Sequence, residues 1–152
     1  MPKQSLIITV VPFIGGLPLK FGMMPEEVTA QVGPPESSRA LNSDCDLIEY
    51  RPWANLEYGN HGLDAIDCWG DQEVKMVFDG VDLFKHPDPI RFLMDRGSRP
   101  VDYFGLIFLE YGIAMPEDLP LKDICLFSKT VRDEYAAKNK PRWIPRQENC
   151  AE

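Results

Sequence analysis

Hydrophobic positions along the chain fall in short runs separated by glycine, proline and asparagine, and most of the runs repeat with the period of a strand. Leu6 to Val11 is a β-branched apolar run and predicts a buried strand. "DLIEYRP" alternates in part and stops at Pro52. "ANLEYGNHGLDAIDCWGDQEVKMVFDG" predicts a meander, with turns at Asn60 to Gly62 and at Gly70-Asp71. In its last strand Val74, Met76 and Phe78 share one face. "YFGLIFLEYGIAM" predicts two short strands around Glu110-Tyr111, and "KDICLFSK" predicts another.

Two stretches carry helix signals instead. In "LKFGMMPEEVTAQVGPPES" Pro25 suits the first helical position, and Glu26 and Glu27 place negative charge in the first turn. Met24 is the N-cap by position, and Met23 and Val28 fall at the two positions of a hydrophobic staple. Val28 and Val32 lie four apart on one face, and Gly33-Pro34-Pro35 ends the helix. Nothing in this module can do chemistry, and its mechanics are those of a fastener. In "HPDPIRFLMDRGSRP" Asp88 is a good N-cap, Pro89 takes the first position and Gly97 ends the helix. Its apolar stripe is Ile90, Leu93 and Met94. The expected fold is α+β: a mainly antiparallel β-sheet with a few short helices packed against it. Residues 1–137 form a single domain in this reading, and residues 138–152 a basic, proline-containing C-terminal arm with Lys138, Lys140, Arg142 and Arg146.

Length and composition agree with one folded domain: 152 residues, 44% of them hydrophobic. The apolar stretch "SLIITVVPFIGG" is too short for a membrane span and makes a poor signal peptide, so a cytoplasmic protein is expected. Cys45, Cys68, Cys125 and Cys150 are widely spaced, which is neither a zinc pattern nor a disulfide framework.

Charge changes the picture most. From Leu41 to Asp82 the acids are Asp44, Asp46, Glu49, Glu57, Asp64, Asp67, Asp71, Glu73, Asp79 and Asp82, against Arg51 and Lys75. Ten acids less two bases gives −8, the net charge of the whole chain. Neither direct nucleic-acid binding nor an anionic membrane surface suits that sign. It suits a basic protein partner drawn in by electrostatic steering, or simply a soluble surface.

Candidate catalytic chemistry is thin. His61 precedes Asp64, Asp67 and Cys68, which allows a metal site or a thiol nucleophile, and Cys45 or Cys125 are other thiol candidates. Asp102 and Glu110 could be paired carboxylates. There is no glycine-rich phosphate loop. The expectation is no catalytic residues, no metal and no cofactor: a protein that is not an enzyme. Tyr50, Trp53, Tyr58 and Trp69 are interleaved with the acids, as anchors of a protein interface or as core residues.

"PLKFGMMPEEVTAQVGPPE" resembles a module of bacterial toxin-immunity proteins, the partners of polymorphic and type VI secreted toxins, through Phe21, Gly22, Glu27, Val28, Gly33 and Pro34. "FLEYGIAM…KDICLFSKTVRDEY" is similar to their usual ending, through Gly112, Ile113, Phe127 and Lys129. A similar helix module occurs in a small outer-membrane assembly lipoprotein, which needs a lipidation cysteine near its start. The resemblance implies a protein that binds and neutralises a cognate toxin and transfers no catalytic residue. Joined to the charge pattern, it makes a basic nuclease the expected toxin. Asp44, Asp46, Glu49, Glu57, Asp64 and Asp67 would steer it, and Trp53, Tyr58 and Trp69 would anchor it. Two other readings stand beside it: a small metal- or thiol-dependent enzyme centred on His61, and a small-molecule sensor domain.

Overall fold

The structure is a computed structural model and describes residues 6–40, 47–70, 73–102, 105–118 and 121–138. Two sheets pack face to face. The larger has eight strands: β4 (Ser37–Ala40), β5 (Leu47–Arg51), β6 (Ala54–Gly59), β7 (Gly62–Trp69), β10 (Val101–Asp102), β11 (Leu106–Phe108), β12 (Ile113–Met115) and β13 (Asp123–Phe127). Their spatial order is β10-β11-β12-β13-β7-β6-β5-β4, antiparallel throughout. The smaller sheet runs β3-β2-β1-β8-β9 and contains β1 (Leu6–Val11), β2 (Gly15–Leu17), β3 (Leu19–Lys20), β8 (Val74–Phe78) and β9 (Val81–Asp82). The fold is therefore α+β and mainly antiparallel; the pairing of β1 with β8 is parallel.

The main core lies between the sheets. Ile8, Val10, Val74 and Met76 of the small sheet meet Leu56, Ile66, Cys68, Ile113, Ile124 and Leu126 of the large one. The contact is close at Gly16, where a Cβ would fall 2.8 Å from Leu126 and 3.5 Å from Ile66. β1 alternates as its neighbours dictate: Ile8 and Val10 are buried and Ile7 is 51% exposed. The expected buried strand is thus buried on one face only. The meander also ends sooner than its turn signals suggest. β6 and β7 form a hairpin, but after Gly70 the chain crosses to the other sheet, where β8 pairs with β1 rather than with β7.

Three helices are present among the described residues: α1 (Pro25–Val32), α2 (Pro89–Met94) and α3 (Lys129–Lys138). In α1 the Glu27 carboxylate accepts the Met24 backbone N–H at 3.0 Å, the N3-to-N-cap half of a capping box. Val28 is fully buried and Gly33 takes φ 86°, open to glycine. In α2 the Asp88 side chain accepts from the Arg91 N–H at 3.1 Å. Its stripe differs in one residue, since Leu93 is fully buried while Met94 is 43% exposed. Phe92 packs in its place, edge-on to Phe78 with ring centroids 6.5 Å apart.

α3 is absent from the sequence reading. It packs on the face of the large sheet that points away from the small one, where Val131 and Tyr135 meet Ala65, Ile107, Ala114, Cys125 and Phe127. The Phe127 and Tyr135 rings are 5.1 Å apart. The helix reaches Lys138, where the basic arm was expected to begin; residues 139–152, with Lys140, Arg142 and Arg146, lie outside the described residues. No described helix is long and apolar enough to cross a membrane.

Candidate functional site

The FGM module is anchored to the tip of the β6–β7 hairpin. Gly22 donates its N–H to the Leu63 carbonyl at 2.9 Å, and Leu63 returns one to Met23 at 2.8 Å. The approach needs glycine at position 62, because its φ is 98° and a Cβ there would lie 2.4 Å from the Gly22 carbonyl oxygen. The closing part of the resemblance is framework too. Gly112, at φ 66°, accepts the Phe127 N–H at 2.9 Å.

The acidic segment is distributed rather than presented. Asp44 and Asp46 lie outside the described residues, as does Cys45. Strand register sends the others in different directions. Glu49 faces the core between the sheets, where it pairs with Arg51 and accepts the Tyr58 hydroxyl at 2.8 Å. Arg51 also bonds the Gly33 carbonyl at 3.0 Å and so ties the end of α1 to β5. Burial first, then the neighbouring Glu49 carboxylate, push the Tyr58 phenol well above its ordinary range.

Glu57 and Asp67 point to the opposite face, the one that carries α3, each 5% exposed. Asp64 sits where the β6–β7 register shifts and is 6% exposed. Its carboxylate accepts the Ser128 hydroxyl at 2.8 Å, and its carbonyl accepts the Ser128 N–H at 2.8 Å. Glu49, Glu57, Asp64, Asp67 and Tyr58 are therefore interior in the free chain and do not form one solvent-facing patch. β7 explains why. It is a central strand covered by the small sheet on one face and α3 on the other, so every residue from Gly62 to Cys68 is buried.

The tryptophans are placed differently. Trp53 follows the turn at Pro52 and Trp69 ends β7, sixteen positions later in sequence. The structure joins them: the Trp69 N–H donates to the Trp53 carbonyl at 3.0 Å. Both side chains are partly exposed at one end of the large sheet.

The enzyme-like constellation does not assemble. His61 is exposed at the hairpin tip, while Asp67 and Cys68 lie six and seven positions further along one strand, roughly 20 Å away at the rise of a β-strand. Cys68 and Cys125 are fully buried. Burial, followed by nearby carboxylates, raises both thiols well above their usual range, which opposes thiolate formation. Among the described residues no group of His, Cys, Asp and Glu has the arrangement of a metal site. Asp102 and Glu110 are not paired either. Glu110 accepts the Ser98 hydroxyl, and Asp102 meets Glu117, whose carboxyl is raised first by its hydrogen bond to Asp102. Asp102, Glu117 and Asp118 line a shallow open groove with Gly105 and Pro116 beside edge strand β10.

No family model matches the chain, and neither the curated proteins nor the solved structures compared with it give a match.

Proposed function

We propose that this chain is an immunity protein, one that binds and neutralises a cognate secreted antibacterial toxin, with a basic nuclease as the toxin class. The observation that carries the reading is the joining of Trp53 and Trp69 at one end of the large sheet, both partly exposed. Large amphipathic rings, one in the tight β5–β6 turn and one at the end of β7, are what anchor a protein interface at low entropic cost. A net charge of −8 would steer a basic partner toward it, whichever carboxylates lie at the contact. The motif residues support the same reading. Gly22, Val28, Gly33, Gly112 and Phe127 all serve the framework, which fits a likeness in scaffold rather than in chemistry.

The test is co-expression with the toxin-like product of a neighbouring gene, followed by binding of the purified pair. Protection of the host, a 1:1 complex, and association that slows as salt rises are expected. Loss of binding on Trp53→Ala or Trp69→Ala in a folded variant would place the interface at this end of the sheet. Failure of the chain to bind or protect against any such product would remove the proposal.

A further inference from the structure

The edges of the two sheets are not equally guarded. β3, β9 and β10 are each two residues long, so three of the four described edges present little backbone to a partner. β4 is the exception. It has four residues, and Ser37, Ser38 and Ala40 are exposed.

The register fixes which of its backbone groups point outward. Arg51 and Ala54 pair across the two-residue turn Pro52-Trp53. Such a turn is closed by a hydrogen-bonded pair, so Arg51, and by alternation Glu49, turn their backbone groups toward β6. Tyr50 and Ile48 then turn theirs toward β4. The Glu36 N–H, which donates to the Tyr50 carbonyl at 2.9 Å, agrees with this. Ser37 and Arg39 are the register partners of Tyr50 and Ile48 and complete the ladder. Ser38 and Ala40 therefore direct their N–H and C=O groups away from the sheet. Among the described residues nothing pairs with that edge.

We propose that β4 is a strand-addition site, where an extended basic segment of the toxin pairs with the Ser38 and Ala40 backbone and lengthens the large sheet by one strand. The proposal rests on the immunity reading above. Donors and acceptors set at the spacing of a ladder match another extended backbone rather than a small ligand. Charge selects its source. A second copy would bring another net −8 against the first, whereas a basic segment is attracted, and Glu36 stands exposed just before the strand. The edge is also continuous with the tryptophan end. Ser37 pairs with Tyr50, and Tyr50 with Asn55, two residues beyond Trp53.

Amide hydrogen exchange tests it, on the full chain alone and in complex with the purified toxin-like product of the neighbouring gene. In the free chain the Ser38 and Ala40 amides should exchange faster than those of Ser37 and Arg39. In the complex Ser38 and Ala40 should slow at least about tenfold. Ser38→Pro removes an outward donor and no ladder bond, a change that edge strands accept. It should weaken binding at least about tenfold. The exchange measurement uses the natural sequence, so it decides the matter whether or not that variant folds. A complex in which Ser38 and Ala40 exchange as fast as in the free chain would overturn strand addition and leave the immunity reading standing. Undiminished affinity in folded Ser38→Pro would do the same. So would slowing that appears without the product and grows with the concentration of this chain, which would put a second copy on the edge. Absence of any complex would remove the immunity reading and strand addition with it.

Discussion

Ser128 donates its hydroxyl to the Asp64 carboxylate at 2.8 Å and its backbone N–H to the Asp64 carbonyl at 2.8 Å, linking positions 64 residues apart. The same hydroxyl oxygen accepts the Val131 N–H at 3.3 Å, so Ser128 caps α3 while Asp64 holds the cap to the sheet. The register shift between β6 and β7 makes this possible. A charged residue in the middle of a buried strand is thereby committed to a helix junction.

Ser128→Ala should cost about 1–3 kcal/mol, because it removes a cap and leaves a buried carboxylate short of one donor. Asp64→Ala should cost at least as much. Urea denaturation checks both, and a Ser128→Thr variant that keeps the hydroxyl should recover most of the loss. Wild-type stability in Ser128→Ala would mean that the junction contributes nothing.

Alkaline pH should destabilise the protein through three buried groups. Tyr58, Cys68 and Cys125 each hold their protons to higher pH in the folded chain than in the unfolded one. Their contribution is fully present below the unfolded values, about 8.5 for a thiol and 10 for a phenol, and is lost as pH rises past them toward the folded values. Each group can tilt stability by at most about 1.4 kcal/mol per pH unit. Denaturation midpoints should therefore hold from pH 6 to 8 and fall above about pH 9. Removing both thiols as Cys68→Ala, Cys125→Ala should flatten the fall between about pH 9 and 10; the same slope in that variant would contradict the assignment.

Most of the strand and helix positions were legible because their signals are local. Period-two alternation marks β8, and Asp88-Pro89 and Pro25-Glu26-Glu27 mark two helix starts. α3 was missed because its apolar signal is two residues, Val131 and Tyr135, in an otherwise polar segment that directly follows a strand. The transfer of β8 to the second sheet depends on pairing with β1, more than sixty residues earlier, which no local pattern encodes. The acids misled for the same reason. A carboxylate on a strand reads as a solvent face until pairing shows that both faces of β7 are covered.

The FGM module can be tested by contrast within one helix. Val28 is fully buried, so Val28→Asp should place an uncompensated charge in the core and cost several kcal/mol. Glu27→Ala removes the acceptor of the Met24 N–H and should cost about 0.5–2 kcal/mol. Glu26 is exposed and acts only through the helix dipole, so Glu26→Ala should cost from a few tenths to about 1 kcal/mol. Thermal melts of the three variants give the order directly. Loss of function in a fully stable Glu26→Ala protein would show that the module does more than fasten.

Gly62→Ala addresses the anchor itself. The residue adopts φ 98°, and the added methyl would lie 2.4 Å from the Gly22 carbonyl oxygen and 2.8 Å from that of Met23. Both obstacles are backbone atoms, so neither can swing aside as a side chain would. The variant has two ways to relax: strain at the hairpin tip, or separation of the FGM turn from β7 with loss of the Gly22–Leu63 and Leu63–Met23 hydrogen bonds. Either route should cost more than about 2 kcal/mol. Hydrogen exchange distinguishes them. Separation should deprotect the Gly22 and Leu63 amides selectively, while strain that leaves the contact intact should lower stability and keep both amides slow. Gly33→Ala is the control. Its φ is 86° but nothing lies within 4 Å of the new Cβ, so it carries backbone strain without a clash and should be the milder change. If Gly62→Ala proved no worse than Gly33→Ala, the close approach of the module to the hairpin would not be what holds it there.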